Sequence, residues 1–410
     1  MKGPMRYSQR TAAALSVLLL AALRLPIGAA AKNVKSVNPI RASSRAQAPN
    51  ARLGPVLTVP GEGGSIFGFD IDQHGTDGLL AIGRTIRTGN DDAAVDEFDQ
   101  TTGKITKVVA KLTNSPNDFV MDGIFAGDVG LTDTEVAGSH GIVPMYEVLN
   151  PVTGGVFTGM WTPPIARDRV VGYAENQTTP TPVLFAIELN NADAPNLIVS
   201  NVAAGTFAPV IMLDPNDFGG GNQPQVAQDT VLNDAVLATS PDFGEVGGTV
   251  PPLIETINLS TGKTTNFNGF NNGPVGAGFV NGLAVDSNTH IACTTTQLNA
   301  SVEFYNLVKH TGITVSLPNT NLEDEIAFGW TVAVDQVNKL FLVTQPNDSV
   351  TGIGSAMYVY NEQGSLVEAI HGFAFSFPGL ALNPSLRIGY VSIQTDKGSP
   401  RLNQLQEFSY

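Results

Sequence analysis

Hydrophobic and polar positions alternate along most of this chain in short runs, and each run ends in a polar turn. Residues 279 to 297, FVNGLAVDSNTHIACTTTQ, show the pattern: an apolar run, an Asp-Ser-Asn-Thr turn and a second apolar run. Short runs rich in β-branched side chains and bounded by such turns predict strands joined in hairpins. Beyond the first 31 residues we find no sustained apolar spacing of three and four residues, which a long helix would need. The pattern predicts an all-β protein.

A second type of hairpin recurs at a fixed interval. Its turn glycines are Gly103, Gly154, Gly262, Gly312 and Gly364. The steps between them are 51, 108, 50 and 52 residues, and the long step is two periods, with AIELNNADAPNLIV around Asn190 filling the gap. A hairpin of the first type precedes each of these turns, and in blade four we expect FAPVIMLDPN and DAVLATS to supply its two strands. Four strands in a period of about 50 residues predict a blade of a β-propeller.

The two ends of the chain predict how the ring closes. The last copy stops after its third strand, whereas GPVLTVPG at residues 54–61 forms an isolated strand near the N-terminus. Pairing that strand into the blade formed by residues 376–410 would leave no long free edge. The sequence therefore predicts a seven-bladed β-propeller closed by the N-terminal strand. Six or eight blades remain alternatives, because blade three (168–204) is short and blade four (205–271) carries an apparent insertion, NDFGGGNQPQVAQ.

The sequence divides into three segments. Residues 1–31 combine a basic start, the apolar stretch TAAALSVLLLAAL and small residues suited to cleavage, as a secretory signal peptide does. Residues 32–52 are polar and basic, contain prolines and have no hydrophobic period, which predicts a disordered linker. The propeller then occupies residues 53–410. We expect an exported protein, extracellular or periplasmic, with no membrane span and a monomeric state.

The charge of the protein is distributed unevenly. The first 52 residues hold nine of the 22 Lys and Arg and no acidic residue, so residues 53–410 carry 13 basic against 37 acidic residues, a net charge of −24. Phosphate contact needs clustered Lys and Arg, so this balance excludes nucleic acid as an expected partner. The single cysteine, Cys293, lies in an apolar strand pattern, and we expect a buried, unreactive thiol.

Strand starts such as NGLAVD at residues 281–286, DGIFAGD at 122–128 and TVAVD at 331–335 carry a family resemblance. The repeat resembles the NHL, YVTN and gluconolactonase-like (senescence-marker-protein-like) propellers. In the gluconolactonase-like enzymes, the polar residue just before the Gly-Leu or Gly-Ile of the first strand points into the axial channel and ligates a divalent metal, often calcium. The resemblance implies that Asn281, Asp122 and Glu62 hold this place. Pro378 and Gly329 replace the polar residue in the last two blades, so the implied metal cage is incomplete.

One turn has the composition of a calcium loop. DIDQHGTDG places Asp70, Asp72 and Asp77 around Gly75, and alternating carboxylates in a glycine-containing turn suit the oxygen coordination of calcium. The pattern is similar to integrin-type propeller loops, although His74 stands where Asn or Gly is usual. An ordinary turn rich in Asp is the competing interpretation. The sequence establishes no cofactor, and calcium is the candidate.

Two classes of function follow from these observations. One is a binding or scaffold propeller whose axial mouth, lined by Glu62, Asp122 and Asn281, takes a small molecule, a glycan or a protein. The alternative is a divalent-metal-dependent hydrolase of the lactonase type, which would need open coordination and a base close to the metal-bound water. The sequence shows no nucleophile motif and no complete metal cage, so it assigns no catalytic residue. Binding is the expectation.

Overall fold

The computed structural model describes a large part of the predicted propeller and none of the first 50 residues. The described residues are 51–58, 64–71, 76–85, 91–112, 119–126, 129–138, 141–149, 156–159, 169–175, 183–189, 195–201, 206–207, 211–212, 225–239, 253–267, 280–296, 301–318, 331–346, 350–351, 354–394 and 404–410. Every regular element among them is a β-strand, as the short apolar runs predict.

The described strands form seven antiparallel sheets. The first strand, β1 (Arg52–Thr58), belongs to the last sheet. Sheet one contains β2 (Gly64–Ile71), β3 (Asp77–Thr85), β4 (Asp91–Asp99) and β5 (Lys104–Leu112). Sheet two contains β6 (Phe119–Ala126), β7 (Val129–Gly138), β8 (Gly141–Leu149) and β9 (Val156–Gly159). Sheet three contains β10 (Arg169–Glu175), β11 (Val183–Leu189), β12 (Pro195–Asn201), β13 (Thr206–Phe207) and β14 (Ile211–Met212).

The remaining sheets follow in chain order. Sheet four contains β15 (Gln225–Asp229), β16 (Asp234–Thr239), β17 (Leu253–Asn258) and β18 (Thr264–Phe267). Sheet five contains β19 (Val280–Asp286), β20 (Ile291–Thr296), β21 (Ser301–Asn306) and β22 (Thr311–Ser316). Sheet six contains β23 (Val332–Asp335), β24 (Leu340–Gln345), β25 (Ser355–Asn361) and β26 (Leu366–Phe373). Sheet seven contains β27 (Phe375–Asn383), β28 (Ile388–Gln394), β29 (Gln404–Ser409) and β1.

The first strand of each sheet lies next to the first strand of the following sheet, and β27 of sheet seven contacts β2 of sheet one. These innermost strands therefore form a closed ring. The predicted closure by the N-terminal strand is confirmed, because β1 pairs antiparallel with β29, Thr58 lying opposite Gln404. The Gln406 side chain donates a hydrogen bond of 2.8 Å to the carbonyl of Gly54, which adds a second link across this pair.

The hydrophobic core lies between neighbouring sheets. Between sheets five and six, Phe304 packs edge-on against Phe341, with ring centroids 5.6 Å apart, in a cluster that includes buried Cys293. Between sheets seven and one, Phe98 packs edge-on against Tyr390 at 5.2 Å. Inner strands are covered on both sides, so they read as continuous apolar runs. The outermost strand of sheet five, in contrast, is almost entirely exposed.

Two expectations about individual strands were wrong. FAPVIM was expected to form the inner strand of blade four, but Ile211–Met212 pairs with β12 of sheet three, and Gln225–Asp229, from the apparent insertion, is the innermost strand of sheet four. Short apolar runs do not reveal which sheet they join. Gly312 was expected to be a turn glycine, but it lies in β22, and His310 takes the left-handed conformation with φ of 56°.

Candidate functional site

The antiparallel order of four strands divides the ring into two ends. The turns that join the first to the second strand and the third to the fourth strand lie at one end, which we call the turn end. Each innermost strand begins at the opposite end, which we call the loop end. Antiparallel strands require this arrangement, because the chain reverses direction at every connection.

Many of the innermost strands contain a register shift in their pairing with the second strand of the sheet. The shift lies in the half of the strand nearer the loop end or at its middle. It occurs in five of the seven described sheets. The shifts lie between Ile66 and Gly68, Val120 and Asp122, Val170 and Gly172, Val280 and Gly282, and Ser376 and Leu380. Such bulges bend a strand and redirect the side chains beside it, and they are over-represented next to functional sites.

Two of the three predicted mouth residues lie beside these shifts. Asn281 is the unpaired residue of the shift in β19, and Asp122 directly follows the shift in β6, where it pairs with Asp133. Counted back from the last residue of each strand, Asp122 matches Gly282 and stands one position away from Asn281. Glu62 lies outside the described residues. The mouth site stays a prediction.

The turn end is built from Asp and Asn side chains that cap the turns. Each of eight described turns begins with a side-chain oxygen that accepts a hydrogen bond from a backbone N–H within four residues. The capping residues are Asp99, Asp229, Asn258, Asp286, Asn306, Asp335, Asn361 and Asn383. This is the Asx-turn chemistry that makes Asp and Asn common in turns. The recurring strand-ending Asp of NGLAVD is therefore a structural cap.

Further hydrogen bonds at the turn end join one sheet to the next. The Nδ1 atom of His290 in sheet five lies 2.7 Å from Oδ2 of Asp229 in sheet four. The hydroxyl of Tyr390 in sheet seven donates to the carbonyl of Gln100 in sheet one at 2.6 Å. Tyr410 donates to Asp335 at 3.1 Å. Sequence reasoning did not find these pairs, since their partners are 61, 290 and 75 residues apart.

The calcium candidate also lies at the turn end. Asp70 is near the end of β2 and Asp77 begins β3, and the pairing of Ile71 with Gly78 brings these strand ends together. Asp77 also lies opposite Asp99 in the pairing of β3 with β4. Asp72 lies outside the described residues. Within the part of the chain that the structure describes, no three His, Cys, Asp or Glu side chains form a group that could hold a metal ion. The calcium loop stays a prediction.

Buried carboxyl groups are a feature that sequence reasoning missed. Glu303 lies in the third strand of sheet five with 4% of its surface exposed, and burial raises its pKa to about 8. Burial also raises the pKa of the Asp286 carboxyl to about 6, with a further rise from Glu362 of sheet six. Burial, followed by the nearby charge of Glu303, raises the pKa of the Cys293 thiol. A buried thiol of this kind is unreactive, as the sequence predicts.

The described strands form antiparallel sheets of four or five strands around a closed ring of inner strands, and this arrangement defines the class of the protein: it is a β-propeller. Solved structures agree. The chain is similar to U3-55K, with a TM-score of 0.59, 12% identity and coverage of 87% of this chain and 98% of that one. It is similar to the RRP9 WD40 repeats, with a TM-score of 0.59, 12% identity and coverage of 88% and 99%. It also resembles a chain of the mitotic checkpoint complex, with a TM-score of 0.58, 12% identity and coverage of 92% and 99%.

At 12% identity these likenesses show the fold alone. No protein-family model matches the chain, and no curated protein matches it. In the described residues, no helix is long and apolar enough to cross a membrane.

Proposed function

We propose that this β-propeller is a binding or scaffold protein that takes a ligand or partner at the loop end of its axis. The observation that supports the proposal is the register shift that recurs in five innermost strands. Each shift leaves at least one residue of the innermost strand unpaired and redirects the side chains beside it, so five shifts around one axis alter the lining of the mouth from five directions. A concave mouth with convergent polar groups is the default binding site.

The chemistry of the opposite end supports the same choice. Asp229, Asp286 and Asp335 are fully buried, and each has an oxygen that caps its own turn. Their carboxylates therefore serve the fold and do not present an open set of ligand contacts. At the loop end, Asp122 and Asn281 lie beside shifts and are the polar residues that the family resemblance assigns to the channel. The resemblance of the repeat to NHL-like and gluconolactonase-like propellers belongs to this proposal.

The similar structures favour partner binding over catalysis in one respect. One of them is a chain of the mitotic checkpoint complex, and so was solved as part of an assembly. Export through a signal peptide at residues 1–31 belongs to the proposal as well. Sequencing of the exported protein should return an N-terminus near Lys32, and a start at Met1 would contradict export.

A thermal-shift screen tests the mouth. The chain from residue 32 to residue 410 would be melted with small acids, sugars, peptides and divalent cations, since a ligand that binds the folded state raises the melting temperature by mass action. Asp122→Ala and Asn281→Ala should each remove the shift, whereas Lys309→Ala, an exposed change at the turn end, should retain it. A shift that survives both mouth variants would contradict the proposal.

The hydrolase alternative has its own readout. Turnover of lactones or phosphoesters with calcium, manganese or zinc, abolished by Asp122→Ala and by Asn281→Ala while the melting temperature is unchanged, would replace binding with catalysis. Such turnover requires an open metal position and a base within hydrogen-bond reach of the bound water.

A further inference from the structure

The outermost strand of sheet five has none of the usual protection of a sheet edge. β22 is six residues long, TGITVS, and contains no charged residue and no proline. It pairs with β21 over its whole length without a register shift. Five of its six residues are exposed, among them Ile313 at 47%. Natural proteins protect long edges with charges, prolines, bulges or cover, because a bare edge pairs with other strands.

The other described outermost strands are all protected. β5 carries three lysines and two register shifts, and β26 has two register shifts and a glutamate, Glu368. β1 contains Pro55 and a register shift. β9 and β18 are four residues long, and sheet three ends in two strands of two residues. Among the strands that the structure describes, β22 is therefore the exception.

The backbone of β22 offers specific hydrogen-bonding groups. In an antiparallel ladder every second residue directs both its N–H and its C=O away from the neighbouring strand. Half of the six residues of β22 therefore present both groups to the free edge. An added strand satisfies these groups in a regular array, which is the basis of peptide recognition by strand addition.

The neighbouring sheet shapes one side of this edge. Gly364, in the turn of sheet six that begins at Asn361, lies close to two side chains of β22. A Cβ atom on Gly364 would stand 2.7 Å from Cγ2 of Val315 and 2.9 Å from Cδ1 of Ile313. An added strand would thus run beside this turn, which also carries Glu362. Its side chains on that face would meet apolar Ile313 and Val315, which favours β-branched residues in the partner.

Charge decides between two occupants of the edge. A second copy of this chain would bring another propeller with a net charge of −24 over residues 53–410, and two such bodies repel each other. A positively charged segment is attracted by the same charge. We propose that β22 is a docking edge for an extended, positively charged segment of a partner protein, which joins sheet five as a fifth strand. The edge lies on the rim, away from the axial mouth, so the two proposals stand independently.

A defined peptide tests the docking edge. The probe is a fluorescent peptide, Lys-Thr-Val-Thr-Val-Thr-Val-Lys, titrated with the chain from residue 32 to 410 while its anisotropy is measured. We expect saturable binding that is lost when alternate backbone nitrogens of the peptide are methylated. Thr314→Lys places a charge on the exposed edge and should weaken binding by roughly tenfold or more. Thr264→Lys adds the same charge to the four-residue strand β18 and should leave binding unchanged.

Three outcomes would overturn the proposal. The first is the absence of saturable binding at millimolar peptide. The second is equal binding of the methylated peptide or of the Thr314→Lys variant. The third is self-association of the chain in sedimentation that Thr314→Lys abolishes, which would make a second copy the occupant. Thr314 is exposed, so unchanged melting of Thr314→Lys will show that the variant is folded.

Discussion

Replacing Glu303 by Gln should make the propeller more stable, and increasingly so as the pH rises. Glu303 lies in β21 opposite Thr294 and Thr314 and is 4% exposed. Its carboxyl has lost the water that stabilises the charged form, which raises its pKa to about 8 from 4.5. The Gln side chain keeps the shape and polarity but cannot ionise.

The sign of the effect follows from proton binding. Between about pH 4.5 and pH 8 the folded protein holds the Glu303 proton while the unfolded chain releases it. The contribution of Glu303 to stability is therefore complete below pH 4.5 and is lost as the pH rises through 8. A difference of about 3.5 pH units corresponds to at most about 5 kcal/mol. Between about pH 5 and pH 9 the loss amounts to about 4 kcal/mol, most of it below pH 7.

The assay is denaturant unfolding of wild type and Glu303→Gln at several pH values. We expect nearly equal stability at pH 4 and a gain of about 2 to 4 kcal/mol for the variant at pH 8, the lower figure allowing for relaxation around the charge. Taking the difference between the two proteins removes the contributions of other shifted groups such as Asp286, whose pKa is also raised.

A matched control is Glu303→Asp, which keeps an ionisable carboxyl at the same buried position of β21 and should therefore keep the loss of stability with rising pH. Parallel stability curves for wild type and Glu303→Gln across the whole pH range would refute the reasoning. So would a loss of stability in the variant at pH 8.

Three further predictions concern the ring, a close contact and the calcium loop. A chain that starts at residue 60 lacks β1, with its buried Leu57, and leaves the edge of β29 unpaired. Its melting temperature in calorimetry should fall, and the chain should self-associate in sedimentation. A monomer with an unchanged melting temperature would contradict the predicted closure. Gly78→Ala should lower the free energy of unfolding by more than about 2 kcal/mol, because the new Cβ would lie 2.3 Å from the Phe98 ring. Gly103→Ala, where φ is 63° and no atom lies within 4 Å of the new Cβ, should lower it by only about 1 kcal/mol. Equal losses in denaturant unfolding would contradict this. Titration calorimetry should show calcium binding that Asp72→Ala abolishes. The absence of binding heat at millimolar calcium would mean that residues 70–78 form an ordinary turn rich in Asp.

The repeat made most of the fold predictable. The turn glycines Gly103, Gly262 and Gly364 all have positive φ, between 63° and 70°, so the period that they mark is a real backbone requirement. The pairing of β1 with β29 followed from an unfinished last copy and one spare strand. Both inferences rest on local chemistry repeated many times, which a single sequence displays.

The errors have a different physical origin. Gln225–Asp229 follows a glycine-rich stretch and is only five residues long, so its apolar signal was too short to separate from an insertion. The left-handed position before β22 is filled by His310, and a rule based on glycine misses it. Contacts between sheets, such as that of His290 with Asp229, depend on residues a full period apart. The repeat spacing indicates that residues one period apart lie in neighbouring sheets. It does not indicate which of their atoms form a hydrogen bond.

The burial of acidic side chains at the turn end bears on where the net charge acts. Asp229, Asp286 and Asp335 are fully buried at that end, whereas Lys309 and Lys339 are exposed there. Residues 53–410 as a whole carry a net charge of −24, which favours cations over anions at the surface of the propeller. A potential of one sign in a concave mouth concentrates ligands of the opposite sign. We therefore expect the ligands of the axial mouth to be cationic, and their binding should weaken as salt is added because salt screens the attraction.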